Sequence, residues 1–201
     1  MAQQKKGGAK KVNKKKSAAM QKKTKKIWFT VKAPESLNSV DIGDITAYEP
    51  NALLGRTIET TLRAITGSMR DMSNKFKLRI VKVQGETVVT EPILFYMQNS
   101  HVQRIERRAK QRIITIVDTA TKDKQKIRVK LYILLNNKVA RAVRTTLQQT
   151  ATTLTSDFVG KREYKDLFGP LTAKNISNDL KKALKPIYPS QVIVWKIKKV
   201  E

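Results

Sequence analysis

Eleven lysines and no acidic residue fill the first 26 positions, and the chain then turns abruptly apolar at Ile27-Trp28-Phe29. The lysines are Lys5, Lys6, Lys10, Lys11, Lys14, Lys15, Lys16, Lys22, Lys23, Lys25 and Lys26, set almost wholly among Gln, Gly, Ala, Asn, Ser and Thr. Such a segment cannot bury enough apolar surface to offset its ordering entropy. Residues 1–26 are therefore expected to form a disordered basic tail, and residues 27–201 a single α+β domain of ordinary size. If Ile27-Trp28-Phe29 opens a strand, Trp28 and Phe29 point to opposite faces, one into the core and one outward. The simpler alternative is that both are core. Of the net charge of +26, the tail carries +11 and the body keeps +15. The folded surface is thus basic in its own right, and an anionic partner relieves its self-repulsion.

Nucleic acid, anionic membrane and acidic protein are the candidate partners. The longest apolar runs, such as Ile93–Met97 and Leu131–Leu135, are five residues each, against the roughly 20 a spanning helix needs. No membrane partner is expected. The basic N-terminus lacks the apolar segment of a secretory signal. Cysteine is absent, which rules out disulfides and thiolate metal sites and suits a reducing cytoplasm.

Period-two alternation starts at Arg56. Ile58, Thr60, Leu62 and Ala64 read as one face of a strand. Phe76, Leu78 and Ile80 repeat the pattern, and Val81 and Val83 shift its phase by one, which predicts a bulge. Gln84-Gly85-Glu86 predicts a turn into a strand over Thr87–Thr90. Arg112–Thr119 and Lys126–Leu135 predict a hairpin across the polar segment Ala120–Gln125. Between these hairpins, Ser100 and Gln103 have the spacing of a capping box at a helix start. Val102, Ile105 and Ala109 share that helix's apolar face.

The last third is helical in period. Val139, Val143, Leu147, Ala151, Leu154 and Phe158 form one stripe of about five turns. Its threonines lower intrinsic helicity, so packing must hold it. A short helix is predicted around Arg162–Phe168. A further helix is predicted with Thr172 as N-cap, a Leu171–Ile176 staple, and Ile176, Leu180 and Leu184 inward. Val192–Ile197 closes as a strand. The expected fold is α+β, a largely antiparallel sheet or partial β-barrel with helices packed against it.

Catalytic chemistry is poorly supplied. His101 is the single histidine, and its place at a helix start points to a structural role. No phosphate-binding glycine loop, dinucleotide fingerprint or nucleophile elbow is present. No enzyme activity, cofactor or metal is expected. Cations carry the signal. Arg104, Arg107, Arg108, Lys110 and Arg112 fall within nine residues. Lys126, Arg128 and Lys130 alternate along one strand and share a face. Arg141 and Arg144 are helical neighbours opposite the apolar stripe. Lys196, Lys198 and Lys199 mark the final strand. With Lys10, Lys11, Lys14, Lys15, Lys16, Lys22, Lys23, Lys25, Lys26 and Trp28, the Arg-rich clusters and Lys126–Lys130 are the candidate nucleic-acid contacts. Arginine makes bidentate phosphate contacts, and lysine neutralises charge. Neither helix-turn-helix nor zinc-finger spacing is evident, and the aromatic sheet and GxxG signatures of the common RNA modules are missing. Backbone and shape recognition of folded RNA is the reading that remains. An architectural nucleoid or chromatin protein is the alternative.

Four motifs narrow this further. Lys26-Ile-Trp28-Phe-Thr-Val-Lys32-Ala33-Pro34, Gly55-Arg56-Thr-Ile-Glu59, Phe76-Lys77-Leu78 and Ile187-Tyr188-Pro189 occur in order. Together they resemble the S3Ae family, small-subunit ribosomal proteins of archaea and eukaryotes. The end soon after the final strand is similar to the archaeal type. The resemblance implies a non-catalytic constituent of the small-subunit platform. It would lie near the 3′ end of the rRNA and the mRNA exit, bound to rRNA and to neighbouring ribosomal proteins. A homo-oligomer is not expected.

Deleting residues 1–24 should leave a cooperatively folded body, because the tail contributes no core residue. A thermal melt of the truncated chain checks this, and loss of its cooperative transition would contradict it.

Overall fold

The computed structural model describes residues 25–200. Apart from Lys25 and Lys26, the expected tail, including Lys10, Lys11, Lys14, Lys15, Lys16, Lys22 and Lys23, lies outside the described residues. The strands are β1 (Ile27–Lys32), β2 (Asp41–Ala47), β3 (Thr57–Thr61), β4 (Asn74–Gln84), β5 (Thr87–Met97), β6 (Gln111–Ala120), β7 (Lys126–Leu135) and β8 (Ser190–Lys199). The helices are α1 (Leu62–Thr66), α2 (Asn99–Glu106), α3 (Arg141–Gly160), α4 (Tyr164–Leu167) and α5 (Thr172–Leu184). The strands form one sheet in the order β2-β1-β5-β8-β7-β6, with β4 also on β5 and β3 on β4. The pairing is antiparallel except between β1 and β5. The sheet stays open and largely antiparallel, as expected.

Alternation along β7 sets the two sides of the sheet. Ile127, Val129, Leu131, Ile133 and Leu135 are buried in the main core, while Lys126, Arg128 and Lys130 face the other way, as the sequence predicted. Helices α3, α4 and α5 cover the inner face through Leu147, Ala151, Val159, Leu167, Ile176, Leu180 and Leu184. The predicted apolar stripe coincides with the buried face of α3 at Leu147 and Ala151. Beyond them the buried face continues through Thr155 and Val159, while Val143, Leu154 and Phe158 are half-buried. The helix starts at Arg141, and Val139 packs from the loop before it. Thr145, Thr146, Thr150, Thr152, Thr153 and Thr155 each donate to the carbonyl four residues back, which satisfies the hydroxyls but adds no helicity, so packing holds the helix.

A second, smaller cluster under β1 joins Phe29, Val31, Ala47, Leu53, Ile80 and Val88. Phe29 is 2% exposed and Trp28 67%. The aromatic pair therefore splits across the strand, and the alternative that both are core does not hold.

Several local expectations give way to tertiary structure. The strand from Arg56 stops at Thr61, because Leu62 and Ile65 reach the core from a short helix. Gly67, in the left-handed region, ends that helix by donating to Arg63 O at 2.8 Å. Strand β5 runs on past Thr90 through Pro92, which sits in the gap between the stretches paired to β1 and to β8. Ser100 and Gln103 form no capping box; α2 starts at Asn99 with Gln98 as its uncapped N-cap. The Asn99 side chain instead accepts from the Trp195 indole at 3.2 Å. Likewise Thr172 is inside α5, donating to Asp166 O at 2.8 Å, and Leu171 is an exposed N-cap with no staple. The predicted bulge in β4 is present: the register shifts between Ile80 and Lys82 and leaves Val81 exposed.

Leu147→Ala removes a fully buried side chain where the helix layer meets the sheet and should cost about 2–5 kcal/mol in urea unfolding. Trp28→Ala should change stability by less than about 0.5 kcal/mol. Equal losses in the two variants would refute this division of the fold.

Candidate nucleic-acid interface

The cations collect on the outer face of the sheet, opposite helices α3, α4 and α5. Strand register lines them up in two rows across six strands. One row runs Glu59, Lys77, Leu94, Lys198, Arg128, Asp118. The next runs Thr61, Lys75, Tyr96, Lys196, Lys130, Ile116. Along the first row a groove of about 590 Å³ is lined by Thr57, Lys77, Arg79, Ile93, Leu94, Arg128, Lys130, Lys196, Lys198 and Lys199. No carboxylate lines it.

Of the acids nearby, Glu59 and Asp118 stand at the rims, and Glu91 of β5 holds groove-lining Lys199 at 2.8 Å. Glu59 lies 4.0 Å from Lys77 and accepts from Tyr96 Oη at 3.0 Å. Burial, followed by that bond to Glu59, pushes the Tyr96 pKa up. At the far rim Arg128 holds Asp118 with two bonds, at 2.7 and 2.9 Å. The guanidinium bonds hold the Asp118 carboxyl below the usual carboxylate range. Lys130, Lys196 and Lys198, in the middle, form no ion pair among the described residues.

Trp195 marks where the outer face changes character. The β7–β8 register shifts beside it, between Lys130 and Leu131. On one side Lys196 and Lys130 sit 4.2 and 5.6 Å from its ring centroid. On the other, Tyr132, Leu134 and Ile193 are covered by Val102 of α2. Helix α2 therefore continues the same face, carrying Arg104 and leading to Arg107 and Arg108, all exposed. The Arg104 guanidinium donates to His101 Nδ1 at 3.0 Å. Burial, and then the Arg104 charge, lower the His101 pKa. Both causes favour the neutral imidazole.

The remaining predicted residues distribute unevenly. Arg112 is engaged by Glu106, and Lys110 reaches Asn137 Oδ1 at 3.4 Å. Lys126 stands on the outer face at the end of β7. Arg141 and Arg144 lie in the first turn of α3, in the helix layer, and are not brought to this face. The helix dipole there disfavours cations. Lys26 stacks over Tyr48 at 5.6 Å, at the start of β1 with Lys25 and exposed Trp28. The β4 residues Lys75, Lys77 and Arg79 were missed by the sequence reading. Their signal was present, since they alternate with Phe76, Leu78 and Ile80.

Positive rows, a groove lined by no carboxylate and, among the described residues, no cluster that could hold a metal define a basic α+β protein whose sheet face is suited to phosphates. Comparison with known proteins makes the class specific. Residues 13–201 match the model of the ribosomal S3Ae family, and the chain belongs to that family. It is 29% identical to small ribosomal subunit protein eS1 of Nanoarchaeum equitans over 82% of this chain and 83% of that protein. It is 28% identical to the protein of that name from Thermoplasma volcanium, over 86% and 80%. Identity with the one from Sulfurisphaera tokodaii is 27%, over 82% and 85%.

An NMR titration of His101 should give a midpoint below the ordinary value of about 6.5. Arg104→Gln should raise it only partway, because burial is the larger cause. Full restoration to the ordinary value would assign the effect to charge instead.

Proposed function

We propose that this chain is a structural constituent of the small ribosomal subunit and grips rRNA by its sugar–phosphate backbone through the outer sheet face. The observation that carries this reading is the pair of cross-strand rows, which put Lys77, Lys198, Arg128, Lys75, Lys196 and Lys130 on one surface. A repeating polyanion matches such a surface, and release of its counterions supplies the binding free energy. Arg104, Arg107, Arg108 and Lys110 extend the grip along α2. Lys25, Lys26 and Trp28 join it where the tail leaves the body, and the tail lysines thread among crowded phosphates. Arg141 and Arg144, in the other layer, contact a different rRNA segment or a neighbouring protein. In keeping with the family resemblance, the chain sits in the cytoplasm on the platform, near the mRNA exit and beside other ribosomal proteins. Its role there is structural, with no catalytic step.

The names of its relatives weigh against the architectural DNA-binding alternative. The endogenous protein should co-sediment with small subunits through a moderate salt wash and be released by RNase. Association with DNA that survives RNase would reverse the assignment. In binding to small-subunit rRNA, Lys130→Glu with Lys198→Glu should weaken affinity and make the salt dependence shallower by roughly 0.7–0.9 for each phosphate no longer neutralised. Asp118→Asn, which frees Arg128, should tighten binding. An unchanged salt slope in the double variant would move the rRNA to another face.

A further inference from the structure

Strand β6 ends the sheet. Among the described residues it pairs with β7 alone, over ten consecutive positions with no register shift. The phase of its hydrogen bonds follows from the hairpin, where Thr121 N donates to Gln125 O at 3.0 Å. Thr121 and the odd-numbered residues before it therefore face β7. Arg112, Ile114, Ile116 and Asp118 turn their N–H and C=O groups outward, and among the described residues no bond reaches those groups. The same four residues carry the outer side chains. Ile114 and Ile116 are 43% and 52% exposed. The charges beside them are already neutralised, Arg112 by Glu106 and Asp118 by Arg128.

Natural edge strands are usually protected by a bulge, a proline, an inward charge or a short length. Strand β6 has none of these four; its edge charges, Arg112 and Asp118, are paired within the fold, and α3 packs on it from the core side. Thr115 and Thr119 add a second sign, since their hydroxyls are buried without a partner on this same strand. Cross-strand hydroxyl pairing is a common way to satisfy such groups.

We propose that β6 is a docking edge, on which an extended segment of a neighbouring subunit protein joins the sheet as a further strand. The proposal rests on the ribosomal reading above. The chemistry selects this occupant. Alternating N–H and C=O groups at strand spacing are met in full only by another extended peptide, whereas RNA would set phosphates against carbonyl acceptors. A second copy of the chain would bring two bodies of like charge, +26 in each full chain, edge to edge. The arriving strand carries apolar side chains at alternate positions, beside Ile114 and Ile116.

Hydrogen exchange on the unmodified full-length chain tests this, free and in salt-washed small subunits. In the free chain the amides of Ile113, Thr115 and Val117 should be protected and those of Ile114 and Ile116 should exchange fast. In the particle Ile114 and Ile116 should slow by at least about tenfold. The chain has no cysteine, so Ile116→Cys, labelled with a photoreactive thiol reagent before incorporation, gives a second measurement. An adduct on a peptide of one other subunit protein, together with the slowed amides, supports the proposal. An adduct confined to rRNA, to a second copy or to residues 1–24 of the same chain overturns it, as do amides that stay fast in the particle. Should the labelled chain fail to incorporate, exchange in the unmodified chain decides alone. If the unmodified chain does not sediment with small subunits, the ribosomal reading falls and this proposal with it. If it sediments and the amides stay fast, only the docking edge falls.

Discussion

Lys130 lies directly opposite Lys196, and Arg128 opposite Lys198, on adjacent strands of the same face. Like charges so placed repel and weaken the ladder that carries them. What holds these strands together is the other side of the same ladder. There Val129 pairs with Ile197 and Leu131 with Val194, all buried under the helix layer. Burial of such side chains contributes roughly 1.5–3 kcal/mol each, against about 1 kcal/mol at most for each exposed like-charge pair. The inner face can therefore sustain an outer face that would be unfavourable by itself.

Trp195 makes that outer face usable. By shifting the β8 register it ends the apolar patch under α2 and begins the cationic rows. Its ring takes two lysines on one side and packs against Tyr132 at 5.2 Å on the other. Its indole also fixes the start of α2 through Asn99. One side chain thus joins the helix that carries Arg104 to the strands that carry Lys130 and Lys196.

The parts of this fold that were legible in sequence are those whose period is unbroken. Strands β6 and β7, the first half of the buried face of α3, the inward face of α5 and the bulge near Val81 all followed from spacing. Strand β2 was not legible, because Asp41-Ile-Gly-Asp-Ile-Thr-Ala has no clean alternation and exists by pairing with β1. Helix α1 was hidden because Ile58, Thr60 and Leu62 continue a period of two into its first residue. The two caps failed differently: α2 begins one residue before Ser100, at Asn99, which is tied to Trp195, and the Thr172 hydroxyl is turned back to the Asp166 carbonyl six residues earlier. The candidate face was half legible. Lys126, Arg128 and Lys130 could be placed together from one strand, but their union with Lys75, Lys77, Lys196 and Lys198 required the strand order.

The sequence by itself determined that the body is basic, that Lys126, Arg128 and Lys130 share one face of their strand, and that long threonine-rich α3 must be held by packing. These follow from composition and period, which are local. Only the tertiary structure decided which cations become neighbours, that Arg141 and Arg144 fall in the other layer, and that β6 is left as an edge. Those outcomes depend on strand order and register, which join residues as far apart in the chain as Lys77 and Lys198 and leave no mark on the spacing of either.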